Sequence, residues 1–104
     1  MYQVVKRDGK VVEFNINKIA DAIKKAFDAT ETEYNESVID FLALKVSADF
    51  LPKIKAGLIT VEDIQDSVEA VLSRGGYEHV AKAYILYRKQ REKLRNMKST
   101  YLDY

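Results

Sequence analysis

Two short runs rich in β-branched and aromatic residues, Tyr2–Arg7 (YQVVKR) and Lys10–Phe14 (KVVEF), flank the dipeptide Asp8-Gly9 near the start of the chain. Asp-Gly supplies the positive φ of a tight hairpin turn, so the two runs are expected to pair as antiparallel strands. Directly after Phe14 the apolar period changes. Ile16, Ile19, Ala20, Ile23, Ala26 and Phe27 recur at three- and four-residue spacing, which reads as an amphipathic helix. The chain therefore opens as a β-hairpin handing over to a helix, and the fold must accommodate both.

The remaining elements follow from their own signals. Asn15 or Asn17 is placed to cap the first helix. Residues 30–35 are polar and acidic and read as a connection. A second helix is expected over Ser37–Leu51, with Val38, Phe41, Leu42, Val46 and Phe50 as its apolar face and Pro52 as its stop. Leu58-Ile59 reads as a third strand beside the hairpin. Thr60 then caps a third helix with an acidic residue, Asp63, at its third position, and Ile64, Val68, Val71 and Leu72 form its stripe. Arg74-Gly75-Gly76 ends it, Gly being suited to a left-handed cap. A fourth helix takes Val80, Ala81, Tyr84, Ile85 and Tyr87 and becomes highly charged through Arg95.

Size and composition exclude several classes. At 104 residues the chain makes one small domain, too short for a barrel or a two-domain enzyme. The content of 47% hydrophobic and 32% charged residues, with 4 Gly and 1 Pro, fits a compact, mostly helical domain. With 0 Cys there is no disulfide scaffold, thiol nucleophile or cysteine zinc site, and His79 alone cannot build a zinc triad. Phosphate-binding, dinucleotide, nucleophile-elbow and zincin motifs are all missing, so neither a catalytic residue nor a metal site is expected. The start lacks a signal-peptide layout and no apolar run reaches the roughly 20 residues of a membrane span, so a cytoplasmic protein without a membrane partner is expected.

Net charge is +1, but its distribution is uneven. Residues 1–52 carry 7 basic and 9 acidic side chains, and residues 53–104 carry 10 and 7. Between Lys82 and Lys98, seven cations face Glu92 alone. Near the hairpin tip, Lys6 and Arg7 end the first strand and Lys18 lies in the first turn of the first helix. These three can converge, and Lys89 from the fourth helix would bring a fourth cation. Thr60 at a helix start adds a hydroxyl and orphan N–H groups, so the whole would suit a polyphosphate. Glu13 and Asn15 would offer polar contacts to a base or sugar, with Val5 and Ile19 as apolar walls. On charge and periodicity alone, a solvated hairpin tip with an exposed basic helix accounts for the same residues, and both readings stand.

The blocks Val4-Val5-Lys6-Arg7-Asp8-Gly9, Phe14-Asn15-Ile16-Asn17-Lys18-Ile19, Ile59-Thr60-Val61-Glu62-Asp63-Ile64-Gln65 and Ala83-Tyr84-Ile85-Leu86-Tyr87-Arg88 together resemble the ATP-cone, the nucleotide-binding regulatory domain of ribonucleotide reductases. The resemblance covers residues 3–92 and implies an α+β fold, a bundle of about four helices capped by a small three-stranded sheet. It implies phosphate contacts from Lys6, Arg7, Lys18 and Lys89, with Thr60 beside them. Val5, Glu13, Asn15 and Ile19 would line the adenosine end, and Gln65 joins the site. The implied ligand is ATP or dATP as an allosteric effector, with Mg²⁺; ATP permits reduction and dATP suppresses it. The implied partners are the catalytic domain of a parent reductase and a second copy of the chain in a homo-oligomer.

On this reading residues 1–96 are the cone, and 97–104 begin a linker to the catalytic domain. Arg88–Tyr104 (RKQREKLRNMKSTYLDY) is similar to the start of the anaerobic ribonucleoside-triphosphate reductase. An aerobic or cobalamin-dependent large subunit is the next parent, and two further alternatives stand beside these: the cone of a transcriptional repressor, and a nucleic-acid or protein docking module built on the basic fourth helix. A nucleic-acid partner is not expected. Repressors of that kind carry a cysteine zinc ribbon ahead of the cone, which a chain with 0 Cys lacks.

Overall fold

The structure, a computed structural model, describes residues 2–102, with side chains for residues 2–94; the linker expected over 97–104 lies outside the residues whose side chains are described. The elements in chain order are β1 (Gln3–Val5), β2 (Val11–Glu13), α1 (Ile16–Ala29), α2 (Glu36–Phe50), a single 3₁₀ turn (Leu51–Lys53), β3 (Leu58–Thr60), α3 (Val61–Arg74) and α4 (Glu78–Leu102). Four helices and a small mixed sheet make the α+β architecture expected.

In the sheet β1 is central, in the order β2-β1-β3. It pairs antiparallel with β2, Val4 opposite Val12, and parallel with β3, Val4 opposite Ile59. Val4 and Ile59 are buried, so this register fixes which face of the sheet meets the helices. The hairpin turn differs from the expected one. The Lys6 N–H donates to Lys10 O at 2.8 Å and the Gly9 N–H to Lys6 O at 2.9 Å, leaving a three-residue connection. Gly9 alone takes the left-handed conformation, at φ +88°. Asp8 acts instead as an acceptor: its carboxylate receives the Lys10 N–H at 2.9 Å, and that bond holds its pKa below the usual value. The two-residue turn sits elsewhere, at Ala56-Gly57, where φ is +53° and +75° and Lys55 and Leu58 exchange both backbone bonds.

Each of the first three helices starts on a side-chain cap. Asn15 Oδ1 accepts from the Asn17 N–H, Asn35 Oδ1 from Val38 and Thr60 Oγ1 from Asp63. Asn15, not Asn17, is thus the first cap. Helix α3 ends in a Schellman arrangement in which Gly76, at φ +86°, takes the left-handed position and the Tyr77 N–H reaches back to Leu72 O at 2.9 Å.

Helix α2 buries Ile39, Leu42, Ala43, Val46 and Phe50, while Phe41 is 57% exposed. The stripe is set by the four- and three-residue steps from Ile39 to Phe50, and Phe41 falls off it. The core joins all four helices through Ile23, Phe27, Ile39, Val46, Phe50, Val68, Leu72 and Val80. Tyr2, Phe14 and Phe50 stack with ring centroids 4.8 to 5.7 Å apart and fasten the hairpin to α2. This leaves the tip of the hairpin free to form a wall with α1, α3 and α4.

Candidate functional site

Between that hairpin and the helices runs an apolar cleft of about 190 Å³. Val4, Val12 and Phe14 line it from the sheet side, Ile19 and Ala22 from α1, Val61, Ile64 and Val68 from α3, and Tyr84 from α4. Its polar edge is Lys6, Glu13, Asn15, Lys18 and Gln65. A second, more polar cleft of about 520 Å³ adjoins it, sharing Lys6, Lys18, Ala22, Val61, Gln65 and Tyr84. Six cations line this outer cleft (Lys6, Arg7, Lys18, Lys25, Arg88 and Arg91) against three carboxylates, Asp8, Asp21 and Glu92. An apolar slot opening onto a cationic mouth can take a ligand with one flat apolar end and one anionic end.

The local folding places these groups. Lys6 follows Val4 at the period-two spacing of a strand and so shares its inward face. Asn15 caps α1 through its side-chain oxygen, which leaves its amide N–H groups free to donate. Lys18 lies in the first turn of α1, and Ala22 and Lys25 follow it at four and seven residues, on one face of the helix. On α4, Tyr84, Tyr87, Arg88 and Arg91 share a face by the same spacing.

Arg7 is the most heavily engaged of the cations. Its Nε lies 3.1 Å from Glu62, its Nη1 3.3 Å from Glu92, and its Nη2 donates to Gln65 Oε1 at 3.1 Å. Arg88 is held by Asp66 at 2.9 Å and Glu69 at 2.8 Å. Burial works against the charge on Arg88, but the two carboxylates outweigh it and raise its pKa. Burial pushes the Tyr84 phenol well above its ordinary value, keeping it a neutral hydroxyl at the junction of the clefts. Lys6, Lys18, Lys25 and Arg91 make no ion pair among the described residues.

Of the residues singled out from the sequence, Lys6, Glu13, Asn15, Lys18, Ile19 and Gln65 line the inner cleft and Arg7 the outer one. Val5, Thr60 and Lys89 line neither. Val5 alternates with Val4 and Lys6 and so points to the other face of β1. The Thr60 hydroxyl is taken by the Asp63 N–H, and the first turn of α3 carries its own carboxylates, Glu62 and Asp63. Lys89 is exposed, and at five residues from Tyr84 it falls on a different side of α4. Lys25, Arg88 and Arg91 stand in the cleft instead; Lys25 was detectable as the residue two turns after Lys18. His79 is exposed, and no group of three metal-ligating side chains occurs among the described residues. No described helix is long and apolar enough to cross a membrane.

Comparison with known proteins places the chain in a family. The chain is 39% identical over 97 residues to a vitamin B12-dependent ribonucleoside-diphosphate reductase of Mycobacterium tuberculosis, covering 93% of this chain and 13% of that protein. It is 42% identical over 101 residues to the protein of the same name from Thermoplasma acidophilum, covering 92% and 13%. To the anaerobic ribonucleoside-triphosphate reductase of Haemophilus influenzae it is 36% identical over 98 residues, covering 94% and 14%. The chain thus spans about one-eighth of the length of these relatives. Residues 2–93 match the family described as the ATP cone domain, nearly the whole of the described chain, and the chain belongs to that ATP-cone family.

Proposed function

We propose that this chain is an allosteric adenine-nucleotide sensor, binding ATP or dATP between the hairpin and the helices and regulating the catalytic region of a ribonucleotide reductase. One observation carries the reading: an apolar cleft bounded by Glu13 and Asn15 opens directly onto Lys6, Arg7 and Lys18. The adenosine end fits the inner cleft against Ile19, and the phosphates fit the outer one. Lys25 and Arg91, unpaired among the described residues, extend the phosphate region. Val5, Thr60 and Lys89 are supported by the family resemblance alone, and substituting them tests it. Mg²⁺ would arrive on the phosphates, because a small hard cation needs few protein ligands when phosphate oxygens and water supply the rest.

The two effectors differ by one 2′-hydroxyl, so ATP activation and dATP inhibition require two protein arrangements with slightly different affinities. Coupling of about 1–3 kcal/mol suffices. The parent is a reductase in this reading, and its assignment to the anaerobic triphosphate class rests on Arg88–Tyr104; residues 97–104 then begin the connection to its catalytic domain. Self-association of the cone is a further part of the proposal.

Calorimetric titration of the chain with ATP and with dATP, each with Mg²⁺, is the test. Saturable binding of both at a single region, weakened by Lys6→Ala, is expected. No heat from folded protein at millimolar nucleotide would overturn the reading.

A further inference from the structure

All three nitrogen positions of the Arg7 guanidinium are engaged, and by two different helices. Glu62 and Gln65 both belong to α3, one turn apart, whereas Glu92 comes from α4. The Glu92 contact is the longer of the two ion pairs, 3.3 Å against 3.1 Å, and its carboxylate is the more exposed. Glu92 also lines the outer cleft, and Glu62 does not. A phosphate entering the cleft therefore meets Glu92 on the side of Arg7 that faces it, as one anion meeting another on a single cation.

The three carboxylates of the outer cleft are not equivalent. Asp8 is occupied by its own loop, accepting the Lys10 N–H. Asp21 is exposed and makes no ion pair among the described residues. Glu92 is the one that occupies a cationic group of the cleft. An anion can replace it at Arg7 without disturbing Glu62 and Gln65, which hold the guanidinium from the α3 side and keep its plane fixed.

From this we infer that Glu92 is a built-in competitor for Arg7: it holds the position that a nucleotide phosphate must take, and phosphate binding exchanges one carboxylate for another anion and breaks the ion pair between α4 and the hairpin tip. The inference rests on the proposed nucleotide site and adds to it a residue that sets the response to phosphate. It makes the hairpin–α4 contact conditional on what occupies the cleft. A nucleoside without phosphates leaves the contact in place.

The test compares ATP and adenosine binding by calorimetry to wild type, Glu92→Gln, Glu92→Ala and two controls. Glu33→Gln removes an exposed carboxylate far from the cleft, and Asp21→Asn removes one that lines it without touching Arg7. An exposed ion pair corresponds to a modest energy, so Glu92→Gln and Glu92→Ala should bind ATP about two- to fivefold more tightly than wild type. Adenosine affinity should be unchanged. Gains no larger than those of Asp21→Asn, or equal gains for adenosine, would overturn the competitor role while leaving the nucleotide site intact. Absence of ATP binding by wild type would overturn the site itself, and the competitor with it.

Discussion

Lys18 separates a structural from a ligand-binding role by the sign of one measurement. It occupies the first turn of α1, which contains no acidic residue, and it is exposed without an ion pair among the described residues. The helix N-terminus carries partial positive charge, so a cation there costs about 0.3–1 kcal/mol. Alanine removes that repulsion and is the better helix former by a few tenths of a kcal/mol. Lys18→Ala should therefore raise the melting temperature without nucleotide, by roughly 2–6 °C for a domain of this size. If Lys18 binds phosphate as proposed, the same change deletes a charge-assisted contact worth about 1.5 kcal/mol at its exposed lower limit, weakening ATP about tenfold. At an ATP concentration of about 100 times the wild-type Kd, wild type gains about 2.7 kcal/mol from the ligand and the variant about 1.4 kcal/mol. The ligand difference of about 1.3 kcal/mol exceeds the gain without ATP over all but the top of its range, so the two thermal unfolding curves should exchange order: the variant is the more stable alone and the less stable with ATP. Differential scanning calorimetry with and without saturating ATP reads both. A lower melting temperature in the absence of ATP, or an unchanged order in its presence, refutes the argument.

Asn15→Asp keeps the N-cap of α1 but replaces the amide donors facing the cleft with a carboxylate, so titrations should show an altered ratio of ATP to dATP affinity, with a melting temperature no lower than that of the wild type because an anion at a helix N-terminus is favourable. Ala22→Phe fills the junction of the two clefts from α1, and calorimetry should find nucleotide binding abolished while circular dichroism stays that of the wild type. Ala56 is held at φ +53°, a conformation that Asn tolerates better, and Ala56→Asn should stabilise the chain by about 0.5 kcal/mol in urea unfolding. Burial raises the pKa of Tyr84 in the folded chain above its unfolded value of about 10, so its contribution is complete below that pH and is lost as pH rises past it. Urea midpoints measured from about pH 9 to 11.5 should fall less steeply for Tyr84→Phe than for wild type.

What the sequence discloses of this fold is local. The hairpin, the caps at Asn15 and Thr60 and the third strand at Leu58 follow from residues adjacent to one another, where turn chemistry and helix-end accounting are decided. The choice of face is not local. Alternation places Val4 and Val5 on opposite sides of β1, but only the pairing of Val4 with Ile59 on β3 shows that Val4 is the buried one. Phe41 is a large aromatic where the pattern admits one, yet α2 meets α1 and α3 through the Ile39–Phe50 stripe. Lys89 belongs to a basic run whose direction depends on how α4 is rotated, and Tyr84 and Arg88 turn it elsewhere. The partners of Arg7 lie 55, 58 and 85 positions along the chain, at Glu62, Gln65 and Glu92, beyond any periodicity.

If the chain senses ATP against dATP as proposed, that long-range arrangement offers a route by which a single hydroxyl can be detected. Asn15 and Lys18 belong to the same helix start, so on the proposed reading the nucleoside end and the phosphate end of one ligand bear on a single rigid element. Asn15 fixes its oxygen on the Asn17 N–H, and any hydrogen bond it gains or loses with a 2′-hydroxyl acts on the first turn of α1. On the same reading Lys6 and Arg7 would tie the phosphates to the hairpin, and Arg7 in turn joins the hairpin to α3 and α4. A shift of α1 against the hairpin therefore alters the geometry at Arg7 without any contact between the hydroxyl and α4. One hydrogen bond, worth about 1 kcal/mol net, is then comparable with the Arg7–Glu92 ion pair, the one that joins α4 to the hairpin among the described residues, and two terms of similar size can be balanced against each other. A deeply buried ion pair in place of Arg7–Glu92 would be too strong for a hydroxyl to offset, and a fully solvated one too weak to transmit its loss. Side-chain exposure of 22% for Arg7 and 51% for Glu92 lies between those limits.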